Sequence, residues 1–465
     1  MILKRREVST EGNNTELFSN KEIVYFTLVF IVFWVVISII FNILGEIYKV
    51  GVATLYPVGK CRLLTPSFLE ILIAISIFCG FLIILKIYTK YEFDLKIIIL
   101  IGILLIIGTS LINGLWKGLV SPTEGSGGLI FYWDAIEIEN RYKNAYEFIR
   151  IYNQKQEKLE YHSRTHPPGA VLLYYVLYKI FYFSALISIA VCIISASFSA
   201  YFLNKVLKRE INEEVSPYMI FLYLLLPAIQ VYYLANLYAI ITTLIIAVIY
   251  FYLHPKKSIS LIGTILCIFL IAFLTFMVIF IIGVLFCFEL LKSYKDKKIK
   301  NFEKLYIISL SLFCIYVMFL VVFRFNYITS FLYASGEENP YGFSLIATPH
   351  EYLITRVEDI LEIAIFFGPF MIILFVRGFP IMKKNYSDLY LLTISVLIIL
   401  LSLFLAGVYR TGETARACSY IYPFLLFPVV IYLFHNNFSL KEKNKLLILV
   451  FIQTVIMQTF GYYKW

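Results

Sequence analysis

An acidic pair lies in the segment 132–139, which begins with two aromatic residues. Side chains three residues apart share one face of a helix, so Asp134 and Glu137 are expected on the same side. Partial burial beside Tyr132 and Trp133 would raise the pKa of Asp134 and suit it to take a proton from an acceptor hydroxyl as a general base. In the alternative interpretation, Asp134 caps the helix and Glu137 belongs to its solvated face.

A second group of polar residues, His162, Arg164 and His166, stands just before the Pro-Pro-Gly segment 167–169. Two consecutive prolines favour an extended backbone that leads into a helix, because proline in the first turn of a helix loses no hydrogen bond. The pattern predicts two imidazoles and one guanidinium held at the membrane surface, suited to a phosphate or sugar ligand. The structural alternative is a simple turn before a helix, with Arg164 reaching lipid headgroups.

A short charged segment, 409–416, lies between two apolar stretches. Arg410 and Arg416 are suited to clamp a phosphate or diphosphate, while Glu413 holds one guanidinium in place. Charged side chains are costly to keep near hydrocarbon, which favours a functional interpretation. The alternative is a solvated loop in which a Glu413–Arg416 pair contributes little to stability.

The composition indicates what kind of protein carries these motifs. Of 465 residues, 61% are hydrophobic and 15% are charged, against roughly 45–50% and about 25% in soluble domains. The apolar residues form repeated blocks, which predicts an all-α polytopic membrane protein with one domain spanning residues 1–465 and about eleven to fourteen transmembrane helices. The net charge of +10 comes from short Lys and Arg runs between these blocks and not from a continuous basic stripe, which argues against nucleic-acid binding.

The basic runs predict the orientation of the chain. Lysine and arginine concentrate on the cytoplasmic side of membrane proteins, which places the N-terminus in the cytoplasm and three loops outside. These are a catalytic loop at 117–167, a second loop at 327–358 and a short loop at 408–419. The second loop contains His350 among Glu and Tyr residues suited to a sugar, although most of it is typical of plain extramembrane chain.

Two segments depart from simple transmembrane helices. In the catalytic loop, apolar residues recur at alternating spacings of four and three, which predicts an amphipathic helix on the membrane surface. Its apolar face consists of Ile138, Tyr142, Ala145, Ile149 and Tyr152. Crossings counted from the two ends of the chain disagree by one between residues 169 and 292. A half-crossing or a pair of short helices is expected there, and Pro227 is a predicted break.

Asp134 and the segments 166–169 and 412–416, set in this order of loops and apolar blocks, resemble the polyprenyl-phosphate-dependent glycosyltransferases of the GT-C fold. The resemblance is closest to the protein O-mannosyltransferase-like and aminoarabinose-transferase-like branch. It implies a GT-C-like helical bundle and a hexosyltransferase or mannosyltransferase that takes its sugar from a polyprenyl-phosphate donor. The implied transfer inverts the anomeric centre and occurs on the outer face of the membrane.

The resemblance also implies roles for single residues. Asp134 corresponds to the general base, with Glu137 as the second acidic residue, although the family more often has the two acids adjacent. His166 corresponds to the mouth of the cavity, and Arg410 and Arg416 correspond to residues that meet the lipid phosphate. Transfer would therefore begin with proton removal from the acceptor by Asp134 and end with the lipid phosphate held by the two arginines.

Other functions remain open at this stage. A transporter or flippase of lipid-linked sugars would carry charges or helix breaks near mid-membrane, and a polysaccharide polymerase or ligase would also use arginines in outer loops. No metal site is predicted, because the seven cysteines lack metal-ligand spacing. A tightly bound cofactor is not expected, whereas a divalent-metal requirement and the acceptor, whether glycan, lipid or protein, stay unassigned. Cys61 and Cys418 lie in loops and would be the pair for a disulfide.

Overall fold

The protein is described here by a computed structural model that covers residues 4–5, 17–48, 61–125, 131–297, 302–409 and 412–463. Most of these residues are helical. The helices, in chain order, are α1 (Asn20–Tyr48), α2 (Phe68–Lys90), α3 (Leu95–Ser110), α4 (Ser121–Glu124), α5 (Phe131–Ile136), α6 (Ile138–Tyr142), α7 (Ala145–Lys155), α8 (Tyr161–Arg164), α9 (Pro168–Phe181), α10 (Ser184–Glu210), α11 (Val215–Leu225), α12 (Pro227–Tyr232), α13 (Leu237–Tyr252), α14 (Lys257–Leu274), α15 (Val278–Asp296), α16 (Phe302–Phe323), α17 (Tyr327–Glu338), α18 (Ser344–Ala347), α19 (Pro349–Phe367), α20 (Pro369–Asn385), α21 (Ser387–Leu405), α22 (Thr414–Ala417), α23 (Tyr422–His435) and α24 (Leu440–Phe460).

Extended and irregular segments are short. The strands β1 (Lys4–Arg5) and β3 (Tyr91–Glu92) form one antiparallel pair, and β2 (Cys61–Leu63) and β4 (Gly461–Tyr463) form another. Single 3-10 turns occupy Leu111–Asn113, Gln156–Lys158 and Ser419–Ile421, and a π-helical turn occupies Trp116–Val120.

The predicted all-α polytopic membrane protein is confirmed in outline. Within the described residues, seven helices are long and apolar enough to cross a membrane, namely α1, α2, α3, α10, α14, α16 and α21. The pair α19 and α20, bent by 90° at Gly368, adds an eighth if it is one broken span. This number is lower than the predicted eleven to fourteen because other apolar helices, including α9, α11 and α13, are shorter than 18 residues.

Polar caps determine where several helices begin. Ser67 and Glu70 form a reciprocal capping box at the start of α2, and the side chain of Asp94 accepts a hydrogen bond from the amide of Ile97 in α3. Such caps satisfy amide groups that have no partner inside the helix. The apolar blocks therefore start as helices at residues that the sequence itself marks.

The bundle has two chemically different ends. At one end, here called the loop end, the segment 117–167 contacts the segment that follows α16, since Asn153 donates to the carbonyl oxygen of Asn326 at 2.9 Å. At the other, here called the lysine end, Lys292 pairs with Asp388 at 2.5 Å and Lys445 donates to the carbonyl oxygen of Phe18 at 2.5 Å. The lysine end therefore gathers the start of α1, the last turns of α15 and the starts of α21 and α24.

The core lies around α11 and α12. Residues 218–235 are all buried, and α11 packs between α3, α10, α23 and α24. Leu226, with a ψ of 138°, separates α11 from α12, so the predicted break at Pro227 is present. The two short helices together run from Tyr218, whose hydroxyl donates to the carbonyl oxygen of Lys443, to Tyr232, which stacks on Phe366 at 5.2 Å.

The helix α9 does not lead away from the loop end. It packs along α5, with ring contacts of Phe131 to Tyr174 at 5.7 Å and of Tyr132 to Tyr178 at 6.0 Å. Just after it ends, the carbonyl oxygen of Ser184 accepts a hydrogen bond from Thr123 in the catalytic loop. Both ends of α9 thus lie at the loop end, which accounts for the disagreement of one crossing in the sequence-based count.

The predicted amphipathic surface helix is wrong in form. The segment is broken into α5, α6 and α7, because Lys143 adopts a positive φ of 70° and Asn144 caps a new helix. Four of the five predicted apolar-face residues are buried inside the protein, where Tyr152 contacts the ring of Phe325 at 5.7 Å. The apolar face is therefore covered by other parts of the chain and not by lipid.

Candidate functional site

Asp134 lies on α5 in an almost fully buried environment. Its side chain is 2% exposed, and its Oδ2 atom accepts a hydrogen bond from the backbone amide of Glu160 at 2.8 Å. The guanidinium of Arg141 approaches the other oxygen to 3.9 Å but is itself half exposed. Burial raises the pKa of Asp134, and the hydrogen bond and the arginine only partly oppose that effect. The predicted raised pKa is therefore found, with a buried carboxylate that retains some proton affinity.

Glu137 belongs to the same group of charges. It stands at the junction of α5 and α6, with its side chain 36% exposed, and its carboxylate is 3.6 Å from the Nε atom of Arg141. Burial and the charge of Asp134 also raise the pKa of Glu160. The carboxylates of Asp134 and Glu137 thus flank one guanidinium, and Asp134 is the more buried of the two.

The His-Pro-Pro segment is held rigidly, as its prolines predict. Pro167 precedes α9 in an extended conformation and Pro168 is its first residue. The hydroxyl of Tyr152 lies within hydrogen-bond distance of the carbonyl oxygens of Ser163, at 2.7 Å, and His166, at 2.5 Å. The segment before α9 is therefore tied to α7 by one buried phenol.

Gly169 permits a close helix contact. A Cβ atom at this residue would overlap the carbonyl oxygen of Phe273 and lie 2.7 Å from the Cγ atom of the same residue. Only glycine lets α9 approach α14 this closely without displacing backbone.

His166 is a neutral imidazole in this setting. Its Nδ1 atom lies 3.0 Å from the carbonyl oxygen of His162, and its Nε2 atom lies 3.4 Å from the hydroxyl of Tyr238. Desolvation, together with the positive charge of Arg416, lowers the pKa of His166 to about 4. His166 therefore offers a hydrogen bond to a ligand and no positive charge. His162, partly buried, lies with its ring 6.2 Å from that of Phe131.

Arg164 contacts the second loop. Its guanidinium pairs with Glu337 at 3.0 Å and lies over the ring of Tyr161. Gln156 bridges the same two segments, because its side-chain amide donates to the carbonyl oxygens of Arg164 at 2.8 Å and Ser330 at 3.1 Å. Arg164 thus fixes the second loop against the first, a role that the sequence did not indicate.

The third segment is anchored on α19. Arg416 is 12% exposed and pairs with Glu413 at 3.4 Å, so the predicted hold on one guanidinium is present. The hydroxyl of Thr414 donates to Asp359, and the amide of Ala415 donates to Glu362 at 2.8 Å. Two carboxylates from α19 therefore determine where Arg416 is placed. Arg410 lies outside the described residues.

The acidic face of α19 was not predicted from the sequence. Glu358, Asp359 and Glu362 are all at most 1% exposed, and Arg356 pairs with Asp359 at 2.9 Å while it donates to backbone carbonyl oxygens of α21 and the residues after it. The signal was the spacing of three between residues 356, 359 and 362, which puts them on one helix face. The predicted boundary between the loop and the apolar block at 358–359 divided that face.

The predicted site residues therefore fall into connected groups. Asp134 shares α5 with Phe131, whose ring contacts that of His166 at 5.1 Å, and the charge of Arg416 acts on His166. His350 lies apart on the exposed first turn of α19, two turns before the buried acids. Cys418 is a free buried thiol, so the disulfide considered for it is not formed.

The loop end thus combines a buried carboxylate, a neutral imidazole and a nearly buried guanidinium. Such a set can accept a proton, orient a hydroxyl and stabilise a phosphate. No group of three or more His, Cys, Asp or Glu suited to a metal ion occurs in the part of the chain that the structure describes. No protein-family model matches the sequence, and no curated protein matches it either.

Proposed function

We propose that the protein is a membrane glycosyltransferase that moves a sugar from a polyprenyl-phosphate donor to an acceptor hydroxyl. The observation that supports this most is Asp134, a buried carboxylate with a raised pKa at the loop end of the bundle. The isoprenoid tail of the donor stays in hydrocarbon, so the bond that reacts must lie at the boundary between the membrane and water. The GT-C resemblance of the sequence agrees with this assignment.

In the proposed reaction, Asp134 takes the proton of the acceptor hydroxyl as the oxygen attacks the anomeric carbon. The bond between that carbon and the donor phosphate oxygen breaks, and the polyprenyl phosphate departs with the bonding electrons, so the configuration inverts. Arg416 compensates the charge on the departing phosphate. His166, which is neutral, orients a hydroxyl of the sugar, and Glu137 keeps Arg141 next to Asp134.

The proposal also requires that Asp134 lie on the outer face of the membrane. Lysines gather at the end opposite Asp134, which favours that end as cytoplasmic and the loop end as outer. The remaining crossings of the predicted eleven to fourteen would be made by shorter or more charged helices such as α13, α15 and α23. Of these, α13 begins beside Tyr238 at the loop end and finishes at Tyr252, which contacts Lys304.

The test is release of polyprenyl phosphate by the purified protein in lipid nanodiscs. A set of polyprenyl-phosphate hexoses serves as donors, and cell-envelope glycans, lipids and peptides serve as acceptors. Loss of a general base slows such reactions by about 10²–10⁴-fold, so Asp134→Asn should lose nearly all turnover. The control is Glu147→Gln, which alters only a partly exposed ion pair with Arg150 on α7. If Asp134→Asn keeps most of the activity, Asp134 is not the base.

A transporter of lipid-linked sugars is the second candidate, favoured by one observation. The chain bends by 90° between α19 and α20, and the buried acids Asp359 and Glu362 lie just before that bend. Broken helices with polar groups often form transport sites. Proteoliposomes with a fluorescent lipid-linked sugar distinguish the two functions. A transporter moves the intact lipid between leaflets, whereas the proposed enzyme separates sugar from lipid.

A further inference from the structure

A cavity at the lysine end has no part in the proposed reaction. It encloses about 400 Å³ between the turn that joins α13 to α14, the last turns of α15 and the first turn of α16. Sites for small molecules typically measure about 300–1,000 Å³. A second cavity, near Lys117, encloses about 20 Å³ and has room for little more than a water molecule. The cavity at the lysine end therefore has room for a headgroup-sized ligand.

Glu289 is the buried charge in the lining of this cavity. The residue is 4% exposed, and its Oε1 atom accepts a hydrogen bond from the hydroxyl of Tyr252 at 2.5 Å. Its Oε2 atom is buried and has no hydrogen-bond donor among the described residues. A buried carboxylate oxygen without a donor is costly. The cavity thus presents an acceptor that a ligand with an N–H group would satisfy.

Positive charges surround the same cavity. Lys292 pairs with Asp388 at 2.5 Å, and the ammonium of Lys304 lies 3.8 Å from the centre of the Tyr252 ring. Lys257 pairs with Glu303 at 3.1 Å, and both side chains are 69% exposed. Exposed pairs of this kind contribute little, so an anionic group at the mouth can take the place of Glu303. The lining therefore matches a ligand with a cation inside and an anion at the mouth.

The surface beside the cavity is apolar and accessible to lipid. Only 6% of the apolar stretch of α16 is buried inside the protein, and the side chain of Phe313 on this helix is 61% exposed. On α14, which packs against α16, Ile262 is 69% exposed. Acyl chains can lie along these helices while a headgroup occupies the cavity.

We propose that the cavity binds the headgroup of a membrane lipid that carries a primary ammonium and a phosphate diester. The ammonium donates to the Oε2 atom of Glu289, and the phosphate is held by Lys257 and Lys292. A trimethylammonium headgroup does not meet the requirement, because it has no N–H to donate. The site is at the opposite end of the bundle from Asp134 and does not depend on the proposed transferase activity.

Lipid titration of the purified full-length protein, followed by native mass spectrometry, tests the proposal. Phosphatidylethanolamine, phosphatidylcholine and phosphatidylglycerol with identical acyl chains are compared. A hydrogen bond to a charged group corresponds to about tenfold in affinity. Phosphatidylethanolamine should therefore bind about tenfold more tightly than the other two, and Glu289→Gln should remove that preference.

Two further variants keep the test decisive. Glu213→Gln is the matched control, because Glu213 is 79% exposed and pairs with Lys208 away from the cavity lining, and it should bind all three lipids as the unaltered protein does. Lys257→Gln, on a side chain that is 69% exposed, should weaken binding of all three lipids about threefold, because each carries the phosphate diester. Equal affinity for phosphatidylcholine, or an unchanged preference in Glu289→Gln, would overturn the proposal. Equal competition by free phosphoethanolamine would overturn the assignment to a lipid.

Discussion

Replacement of Gly169 by alanine probes the contact that places the His-Pro-Pro segment. The new Cβ atom would lie 2.7 Å from the Cγ atom of Phe273 and overlap the carbonyl oxygen of that residue. Carbon atoms pack best at about 3.5–4.0 Å, so α9 must move about 1 Å away from α14. Because the obstacle includes backbone, no side-chain rotation relieves it.

The expected loss follows from these contacts. Overpacking costs about 1–3 kcal/mol, and a backbone obstacle favours the upper value, whereas alanine recovers up to about 1 kcal/mol of helix propensity. The net loss for Gly169→Ala is therefore about 2 kcal/mol. The unfolding entropy of roughly 2 cal/mol/K per residue converts this to a midpoint about 2 °C lower if the whole chain unfolds together.

A thiol-reactive dye measures this change in detergent. Heating exposes the buried Cys192, Cys267, Cys287 and Cys418, while the exposed Cys79 and Cys314 are replaced by serine in every sample to lower the background.

The matched control is Gly336→Ala on α17, where a Cβ atom would meet nothing within 4 Å. It should leave the midpoint unchanged or slightly higher. A midpoint for Gly169→Ala at or above that of Gly336→Ala would refute the close contact of α9 with α14.

Two further expectations concern the candidate site. Arg416→Ala should raise the donor concentration needed for half-maximal rate by about tenfold, the value of one charge-assisted hydrogen bond, and leave the acceptor requirement unchanged. Initial rates measured against each substrate test this expectation. No change in either requirement would exclude a contact between Arg416 and the phosphate. Burial raises the pKa of Asp134 above its ordinary value of 3.8. As pH rises, the unfolded state therefore loses this proton before the folded state does. The free energy of unfolding should fall between pH 3.8 and the raised pKa. Turnover should rise over the same interval, because a general base must be deprotonated. Unfolding midpoints from pH 4 to pH 8 should show this decline in the unaltered protein and not in Asp134→Asn; parallel curves would contradict it.

Part of the candidate site could be predicted from local patterns. The Pro-Pro pair before α9 and the Glu413–Arg416 pair both depend on neighbours within a few residues, and both are found as expected. The raised pKa of Asp134 was predicted from the aromatic residues beside it, whereas its hydrogen bond from the backbone amide of Glu160 was not predicted. Local sequence therefore indicated the groups but not all of their partners.

Other features could not be predicted, because they depend on residues far apart in the chain. The anchoring of Thr414 and Ala415 on Asp359 and Glu362 joins segments more than fifty residues apart. The same holds for Arg164, whose partner Glu337 belongs to the second loop. Periodicity within one segment carries no information about such pairs.

The sequence by itself determined that this is a membrane protein, that it is helical and that it is polytopic. Those properties follow from composition and from the spacing of apolar blocks, which are independent of how the helices are arranged. Only the tertiary structure decided that α9 stays at the loop end, that the apolar face of the catalytic loop is covered by protein, and that acids of α19 place Arg416. The physical reason is that burial and charge pairing arise between helices, where contact and not sequence order determines the energy.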